Sequence, residues 1–160
     1  MNLAFIALGS NLENPASQIL SAFGELDALP RTRMISRSSL YASSPISEII
    51  QPDYVNAVAK IETGLDPFSL LDSLLAIELF HGRVREKRNA PRTLDLDILM
   101  YNDLVLNDAH LTIPHPRMHE RLFVLRPLLE IEPDCAIPGI GRAGDRVSLL
   151  SGQVLQKMTE

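Results

Sequence analysis

The chain has 160 residues, of which 46% are hydrophobic and 22% are charged, and its formal net charge at pH 7 is −5. This length and composition predict a single soluble domain spanning residues 1–160 and argue against a disordered chain. The acidic balance argues against nucleic acid or an acidic membrane surface as the partner. The single cysteine, Cys135, cannot form an intramolecular disulfide, which favours a cytoplasmic location.

Strand and helix patterns alternate along the first two thirds of the chain. The predicted elements, in order, are a strand over residues 3–8 ending in a turn at Gly9, a helix over 15–30, a weaker strand over 33–41, a strand over 53–63, a helix over 67–82 and a strand over 94–100. This βαββαβ order predicts an α+β fold, the ferredoxin-like sandwich with two helices on one face of the sheet.

The last third predicts additions to that sandwich. Residues 105–106 follow a turn signal and are expected to pair back on the preceding strand as a short hairpin. A helix is predicted over 123–131, and a short one from Val147. The prediction is therefore a ferredoxin-like core with extra C-terminal helices and a hairpin.

Two carboxylates are predicted on one face of the strand over 94–100. With the strand period of two, Asp95 and Asp97 point to one side, while Leu94, Leu96, Ile98 and Met100 point to a core. Two like charges at this spacing repel one another unless a cation lies between them.

A basic cluster precedes the two acids. Its members are Arg83, Arg85, Lys87, Arg88 and Arg92. Carboxylates beside guanidinium groups suit a magnesium-bound polyphosphate, because the carboxylates bind the metal and the arginines bind phosphate oxygens. An edge strand with solvated acids beside a solvated basic loop fits the same pattern, and the pattern alone leaves both interpretations open.

Five motifs of this chain form a recognisable set. They are residues 7–12, residues 51–57, Glu78 with residues 82–85, residues 91–98, and residues 114–118 continuing to Arg121 and Phe123. Their order and spacing resemble those of the 6-hydroxymethyl-7,8-dihydropterin pyrophosphokinase family of folate biosynthesis. The resemblance implies that the hydroxymethyl oxygen of the pterin attacks the β-phosphorus of ATP, which is a co-substrate, and that AMP leaves.

The resemblance also implies the residues of the ATP half of the site. Asp95 and Asp97 would be the ligands of two Mg²⁺ ions. The implied catalytic set consists of Arg83, Arg92, Asp95 and Asp97. The implied ATP contacts are Glu78, Arg83, Arg85, Arg92, Ile98, His115 and Arg121.

The pterin half rests partly on the residues themselves. Tyr54 and Asn56 share a strand face, so that an aromatic ring stands beside an amide that can both donate and accept, as a pterin requires. Phe123 resembles the family's stacking partner. The implied pterin contacts are Ser43, Ser44, Ile46, Tyr54, Asn56 and Phe123.

Two other functions share parts of this pattern. A nucleotidyltransferase could use Gly9 and Ser10 with the acidic pair, but such motifs normally lie close together in sequence, whereas here they are far apart. A non-catalytic ferredoxin-like module could bind nucleic acid through the basic cluster, but the acidic chain with few aromatic residues argues against it. The expected partners are therefore small molecules, without nucleic acid or membrane, and a monomer is expected.

Overall fold

A central antiparallel sheet organises the structure, a computed structural model that describes residues 1–12, 14–43, 54–82 and 94–158. The strands are β1 (Asn2–Ser10), β2 (Thr32–Arg37), β3 (Tyr41–Ser43), β4 (Tyr54–Thr63), β5 (Asp95–Tyr101), β6 (Leu106–Asn107), β7 (Thr112–Ile113), β8 (Ala136–Ile137), β9 (Gly141–Arg142) and β10 (Leu155–Lys157). The helices are α1 (Pro15–Asp27), α2 (Pro67–Phe80), α3 (Leu122–Ile131) and α4 (Gly144–Val147), with 3₁₀ turns at Met118–Glu120 and Ser148–Leu150.

The sheet has the strand order of the predicted ferredoxin-like fold. Its strands lie in the order β10-β3-β4-β1-β5, and β2 also pairs with β4. The long central strand β1 is antiparallel to both β4 and β5. The α+β prediction is confirmed. The weak strand predicted over 33–41 is two strands, β2 and β3, which pair with different parts of β4.

Both faces of the sheet are covered. On one face, α1 and α2 pack on a core that includes Ile6, Leu26, Ile61 and Leu74, all fully buried. The opposite core is formed largely by α3 and the C-terminal residues. The alternation predicted for β4 is confirmed, because Val55, Ala57, Ala59 and Ile61 belong to the first core and Val58 to the second.

A β-bulge in β5 reverses one predicted orientation. Ile6 pairs with Ile98 and Phe5 pairs with Met100, so that Leu99 has no opposite residue on β1. Such an extra residue bends a strand and shifts its alternation. Leu99 and Met100 consequently both join the core on the α3 side, and the prediction that Met100 shares a face with Leu96 is wrong.

The predicted hairpin partner is also wrong. β6 pairs with β7, not with β5. Asn102 adopts a left-handed backbone conformation with φ of 49°, and its side-chain oxygen accepts the backbone N–H of Leu3 at 2.8 Å. The turn after β5 is therefore fixed to the start of β1, which directs the chain away from β5.

The C-terminal residues complete the sheet rather than only adding helices. The short helix predicted from Val147 begins at Gly144 instead. β10 then pairs antiparallel with β3, and the backbone N–H of Met158 donates to the carbonyl of Leu40 at 2.8 Å. In the part of the chain that the structure describes, none of the helices combines the length and apolar character that a membrane crossing requires.

Candidate active site

A cleft with about 390 Å³ of open space lies on the α3 side of the sheet. The sheet supplies its floor, and the segment from His115 to Val124 supplies one wall. The lining side chains that bear chemistry are Asn56, Asp95, Asp97, His115, Arg121 and Phe123. Six of the residues predicted for the site, which are widely separated in sequence, are thus brought together in one cleft.

The register of the central strands places the two acids on the cleft side. Gly9 lies opposite Asn56 on one neighbour and opposite Asp95 on the other, and Ala7 lies opposite Asp97. Residues that face each other across antiparallel strands share a face of the sheet. Asn56, Asp95 and Asp97 therefore all project from the same face, and the small residues of β1 leave open space between them.

Gly9 belongs to this floor, and the turn predicted there is wrong. β1 continues through Ser10, because its pairing with β4 extends from Asn2 to Ser10. A methyl group added to Gly9 would lie 3.4 Å from Oδ1 of Asn56. Ala7 and Gly9 are site residues that the sequence reasoning missed. Their signal was the loss of side-chain bulk at alternate positions of an otherwise apolar strand.

The Asn56 amide is oriented by Ser43. Asn56 is only 5% exposed, and its Nδ2 donates a hydrogen bond to Oγ of Ser43 at 2.7 Å. With Nδ2 bonded to Ser43, Oδ1 of Asn56 lies near Gly9, which lines the cleft. A buried amide held in this way can accept from and donate to a flat polar ring.

β3, which carries Ser43, is attached to α3 through Glu130. The Glu130 carboxylate accepts the Tyr41 hydroxyl at 2.6 Å and the Ser39 hydroxyl at 2.9 Å. Burial, then the Glu130 carboxylate, raises the pKa of Tyr41 to about 12, so its hydroxyl remains a donor at neutral pH. Tyr41 pairs directly with Asn56 across the strands, so the contact with Glu130 holds β3 in place beside Asn56.

His115 is held beside the acids by the bulge in β5. Its backbone N–H donates to the carbonyl of Leu99, the bulged residue, at 2.9 Å. Its Nδ1 accepts the backbone N–H of Arg117 at 3.2 Å, so the proton of the neutral ring is on Nε2. Burial, then the nearby Arg121, lowers the pKa of His115 to about 4, although Asp95 opposes this.

The lowered pKa of His115 predicts a pH dependence of stability. Between about pH 6.5 and pH 4 the unfolded chain binds a proton at this residue that the folded chain does not bind, so stability falls as the pH falls through this range. We expect a contribution of roughly 2–3 kcal/mol at pH 4.5. The unfolding free energy should decrease more between pH 7 and pH 4.5 in the wild type than in His115→Gln. Equal losses in the two proteins would contradict the assignment.

Arg121 and Phe123 line the same cleft as the two acids. The guanidinium carbon of Arg121 lies 5.5 Å from the centroid of the Phe123 ring, a cation–π distance. Burial, then the nearby Arg117, lowers the pKa of Arg121, while Asp97 and Asp95 oppose this. Arginine stays charged at neutral pH even so. The cleft therefore brings a cation and an aromatic ring together with two carboxylates.

The donor set of Asp95 and Asp97 fits a magnesium ion bound together with a phosphate. Within the described ranges, no three His, Cys, Asp or Glu side chains are grouped as a protein-only metal site. Mg²⁺ typically takes one or two carboxylates and fills its remaining positions with water and substrate phosphate oxygens. Two carboxylates beside a guanidinium and an imidazole N–H are compatible with that mode of binding.

The structure places four other predicted residues, Ser43 among them, outside the lining of the cleft. Ile98 is 3% exposed and packs in the core of α1 and α2. Glu78, which is 2% exposed, accepts the backbone N–H of Leu96 at 2.7 Å. Tyr54 begins β4 opposite Ser43. Their ligand contacts stay predictions. Ser44, Ile46, Arg83, Arg85 and Arg92, with Lys87 and Arg88, lie outside the described residues.

Cys135 fits the inert role that its isolation in the sequence suggests. It is 6% exposed and packs in the core on the α3 side. Burial, then Glu132, raises the pKa of its thiol to about 11. It is therefore a thiol at neutral pH and a poor nucleophile.

Comparisons with known proteins show the family of this chain. Carboxylates that can hold metal ions, close to a guanidinium, are parts that recur in enzymes of phosphoryl transfer. The profile of the family described as "7,8-dihydro-6-hydroxymethylpterin-pyrophosphokinase (HPPK)" matches residues 5–133. The chain therefore belongs to the 7,8-dihydro-6-hydroxymethylpterin-pyrophosphokinase family.

Similar proteins carry a consistent name. The 2-amino-4-hydroxy-6-hydroxymethyldihydropteridine pyrophosphokinase of Haemophilus influenzae is 51% identical over 138 residues, which cover 86% of each chain. The protein of that name from Pseudomonas aeruginosa is 48% identical over 134 residues, covering 84% of this chain and 83% of the relative. The prediction of a pyrophosphokinase is confirmed at the level of the family, and neither of the two alternative functions is supported.

Solved structures resemble the fold. The crystal structure of wild-type Plasmodium falciparum HPPK-DHPS superposes with a TM-score of 0.71 at 15% sequence identity. The match covers 92% of this chain and 44% of that longer chain. At this level of identity the likeness concerns the fold alone.

Proposed function

We propose that this protein transfers a pyrophosphoryl group from ATP to the hydroxymethyl group of 6-hydroxymethyl-7,8-dihydropterin in folate biosynthesis. A bond forms between the pterin oxygen and the β-phosphorus, the bond from that phosphorus to the AMP oxygen breaks, and the hydroxyl proton is lost. The observation that carries the proposal is the placement of Asp95 and Asp97 on one face of the sheet, in the same cleft as Arg121 and His115. Family membership supports the choice of substrates.

The phosphate end of the cleft lies between acids and cations. Asp95 and Asp97 are the residues that would hold two Mg²⁺ ions, which when bound neutralise phosphate charge and polarise the transferring group. Arg121 supplies a fixed positive charge, and the Nε2–H of neutral His115 supplies a hydrogen-bond donor that does not depend on protonation near pH 7. Arg83, Arg85 and Arg92 are proposed to bind the same phosphates, because a planar guanidinium can donate to two phosphate oxygens at once.

The pterin end lies between Asn56 and Phe123. The Phe123 ring would stack on the flat pterin, and Asn56, oriented by Ser43, would hydrogen-bond to its polar edge. Tyr54, Ser43, Ser44 and Ile46 are proposed to complete this end of the site. Because both ends share one floor, the hydroxymethyl oxygen can be held next to the phosphate chain, and such positioning is a large part of catalysis for phosphoryl transfer.

The remaining proposals concern the cellular setting. We propose that the protein acts in the cytoplasm as a monomer. The lone buried cysteine is compatible with a reducing compartment. A sedimentation measurement of the purified protein would test the monomer proposal.

A direct assay tests the reaction. The protein is incubated with ATP, Mg²⁺ and 6-hydroxymethyl-7,8-dihydropterin, and the nucleotides are separated by chromatography. We expect one AMP for each pterin pyrophosphate formed and no AMP when the pterin is left out. Release of ADP, or of free pyrophosphate with a nucleotidylated pterin, would refute the proposal.

A further inference from the structure

Glu78 is a buried carboxylate at the strand that carries the two acids. It lies in the last turn of α2, is 2% exposed, and its Oε2 accepts the backbone N–H of Leu96 at 2.7 Å. Leu96 stands between Asp95 and Asp97 in the sequence, and its side chain points into the core on the other face. Glu78 therefore contacts the backbone at the residue between the two carboxylates, without lining the cleft itself.

This hydrogen bond gives a partner to the backbone N–H of Leu96, which does not pair with β1 in the sheet. In the described part of the chain, β5 is the last strand on its side of the sheet, next to β1. Alternate backbone groups of an edge strand point away from its single neighbour. The bond to Glu78 shows that the N–H of Leu96 is one of these groups. Leu96 is only 3% exposed, so water is a poor substitute partner, and an unsatisfied buried N–H is costly.

Side-chain contacts hold both ends of α2, the helix that carries Glu78. At the start of the helix, Asp66 accepts the backbone N–H of Ser69 at 2.9 Å. At its end, Nε2 of His81 lies 2.5 Å from Oε1 of Glu25, and its Nδ1 contacts Gln18. Both of these partners belong to α1. The contacts of His81 fix the end of α2, and therefore Glu78, relative to α1.

We propose that Glu78 is a positioning residue that sets the orientation of the Asp95–Asp97 pair through the backbone of Leu96. This role rests on the proposed function, in which the two carboxylates bind Mg²⁺ with the nucleotide. Side chains on one strand move with its backbone, so a twist of β5 at Leu96 would displace both carboxylates together. Partners that orient metal ligands commonly change metal affinity about 10- to 100-fold when they are removed.

Two conservative substitutions distinguish the hydrogen bond that Glu78 makes from the negative charge that it carries. Glu78→Gln keeps an oxygen at the same distance from the helix and removes the charge, whereas Glu78→Asp keeps the charge and withdraws the oxygen by one methylene group. Asp72→Asn, at an exposed acid on the same helix, is the control. Two readouts besides AMP release are required: hydrogen exchange of the Leu96 amide by NMR, and binding of Mn²⁺ in the presence of α,β-methylene-ATP by electron paramagnetic resonance.

Positioning predicts that Glu78→Gln and the control resemble the wild type in both readouts. Glu78→Asp should exchange the Leu96 amide at least about 10-fold faster and bind Mn²⁺ about 10-fold more weakly. The opposite order, with Asp normal and Gln impaired, would show that charge matters and would overturn the proposal. So would unchanged Mn²⁺ binding in Glu78→Asp, or a failure of the wild type to bind Mn²⁺. A wild type that binds Mn²⁺ but releases no AMP would refute the proposed function while these readouts still decide the role of Glu78.

Discussion

Replacing Asp97 with alanine is expected to lower the rate of AMP release on the order of 1,000-fold while the protein stays folded. Asp97 is partly exposed and faces the cleft opposite Ala7, so its loss leaves no core cavity. Metal-ion stabilisation of phosphate charge is worth several kcal/mol, and about 4 kcal/mol corresponds to a rate factor of roughly 1,000. Asp95→Ala should have a similar effect, because both carboxylates project from the same face of β5.

The control for this experiment is Asp103→Ala, at an exposed acid just beyond β5. It changes the net charge equally but lies outside the lining of the cleft. Rates are measured at saturating ATP and pterin over a range of Mg²⁺ concentrations, with the unfolding midpoint as a check on folding. Near-wild-type rates in both Asp95→Ala and Asp97→Ala would show that the acidic pair is not the metal site.

Replacing Asn56 with alanine is expected to weaken pterin binding about 100-fold and to leave nucleotide binding nearly unchanged. The amide is buried and already oriented by Ser43, so it can contact the pterin without reorganisation. A ligand group left without its partner in a buried site loses roughly 3 kcal/mol, which is about 100-fold in affinity. Isothermal titration with the pterin, and separately with Mg²⁺ and α,β-methylene-ATP, measures both effects.

Ser43→Ala gives a graded comparison. It removes the hydroxyl that orients the amide and keeps the amide itself, so a smaller loss of about 10-fold in pterin affinity is expected. If Asn56→Ala weakens the binding of the nucleotide analogue as much as that of the pterin, Asn56 does not belong to a separate pterin end. Unchanged pterin affinity in Asn56→Ala would have the same consequence.

The parts of the fold that sequence could predict are those with a local physical cause. β4 alternates apolar residues over ten positions, and one face of that pattern is found in the core under α1 and α2. α2 begins at Pro67 because Asp66 accepts the N–H of Ser69. The acidic face of β5 follows from strand periodicity, which was correct as far as Ile98.

The errors came from contacts that are distant in sequence. The bulge at Leu99 depends on the register between β5 and β1, which no property of residues 94–101 specifies alone. The turn after β5 is held by the bond from the Leu3 N–H to the Asn102 side chain, which joins residues 99 positions apart in the sequence. β10 joins β3 although its three residues give little strand signal by themselves.

The same distinction between local patterns and distant contacts applies to the residues of the candidate site. Asp95 and Asp97 carry a visible pattern, and His115, Arg121 and Phe123 were found through family motifs. The supports around them were not predictable, because each joins separate elements: Glu130 on α3 with Tyr41 on β3, and Glu78 on α2 with Leu96 on β5. A buried acid in a helix carries no sequence signal that names its backbone partner.

The most direct test is a crystal structure of the protein with Mg²⁺ and α,β-methylene-ATP. We predict that the carboxylates of both Asp95 and Asp97 coordinate metal ions that also touch the phosphate chain, with Arg121 and His115 against the same phosphates. Metal bound elsewhere, with neither carboxylate among its ligands, would contradict the account.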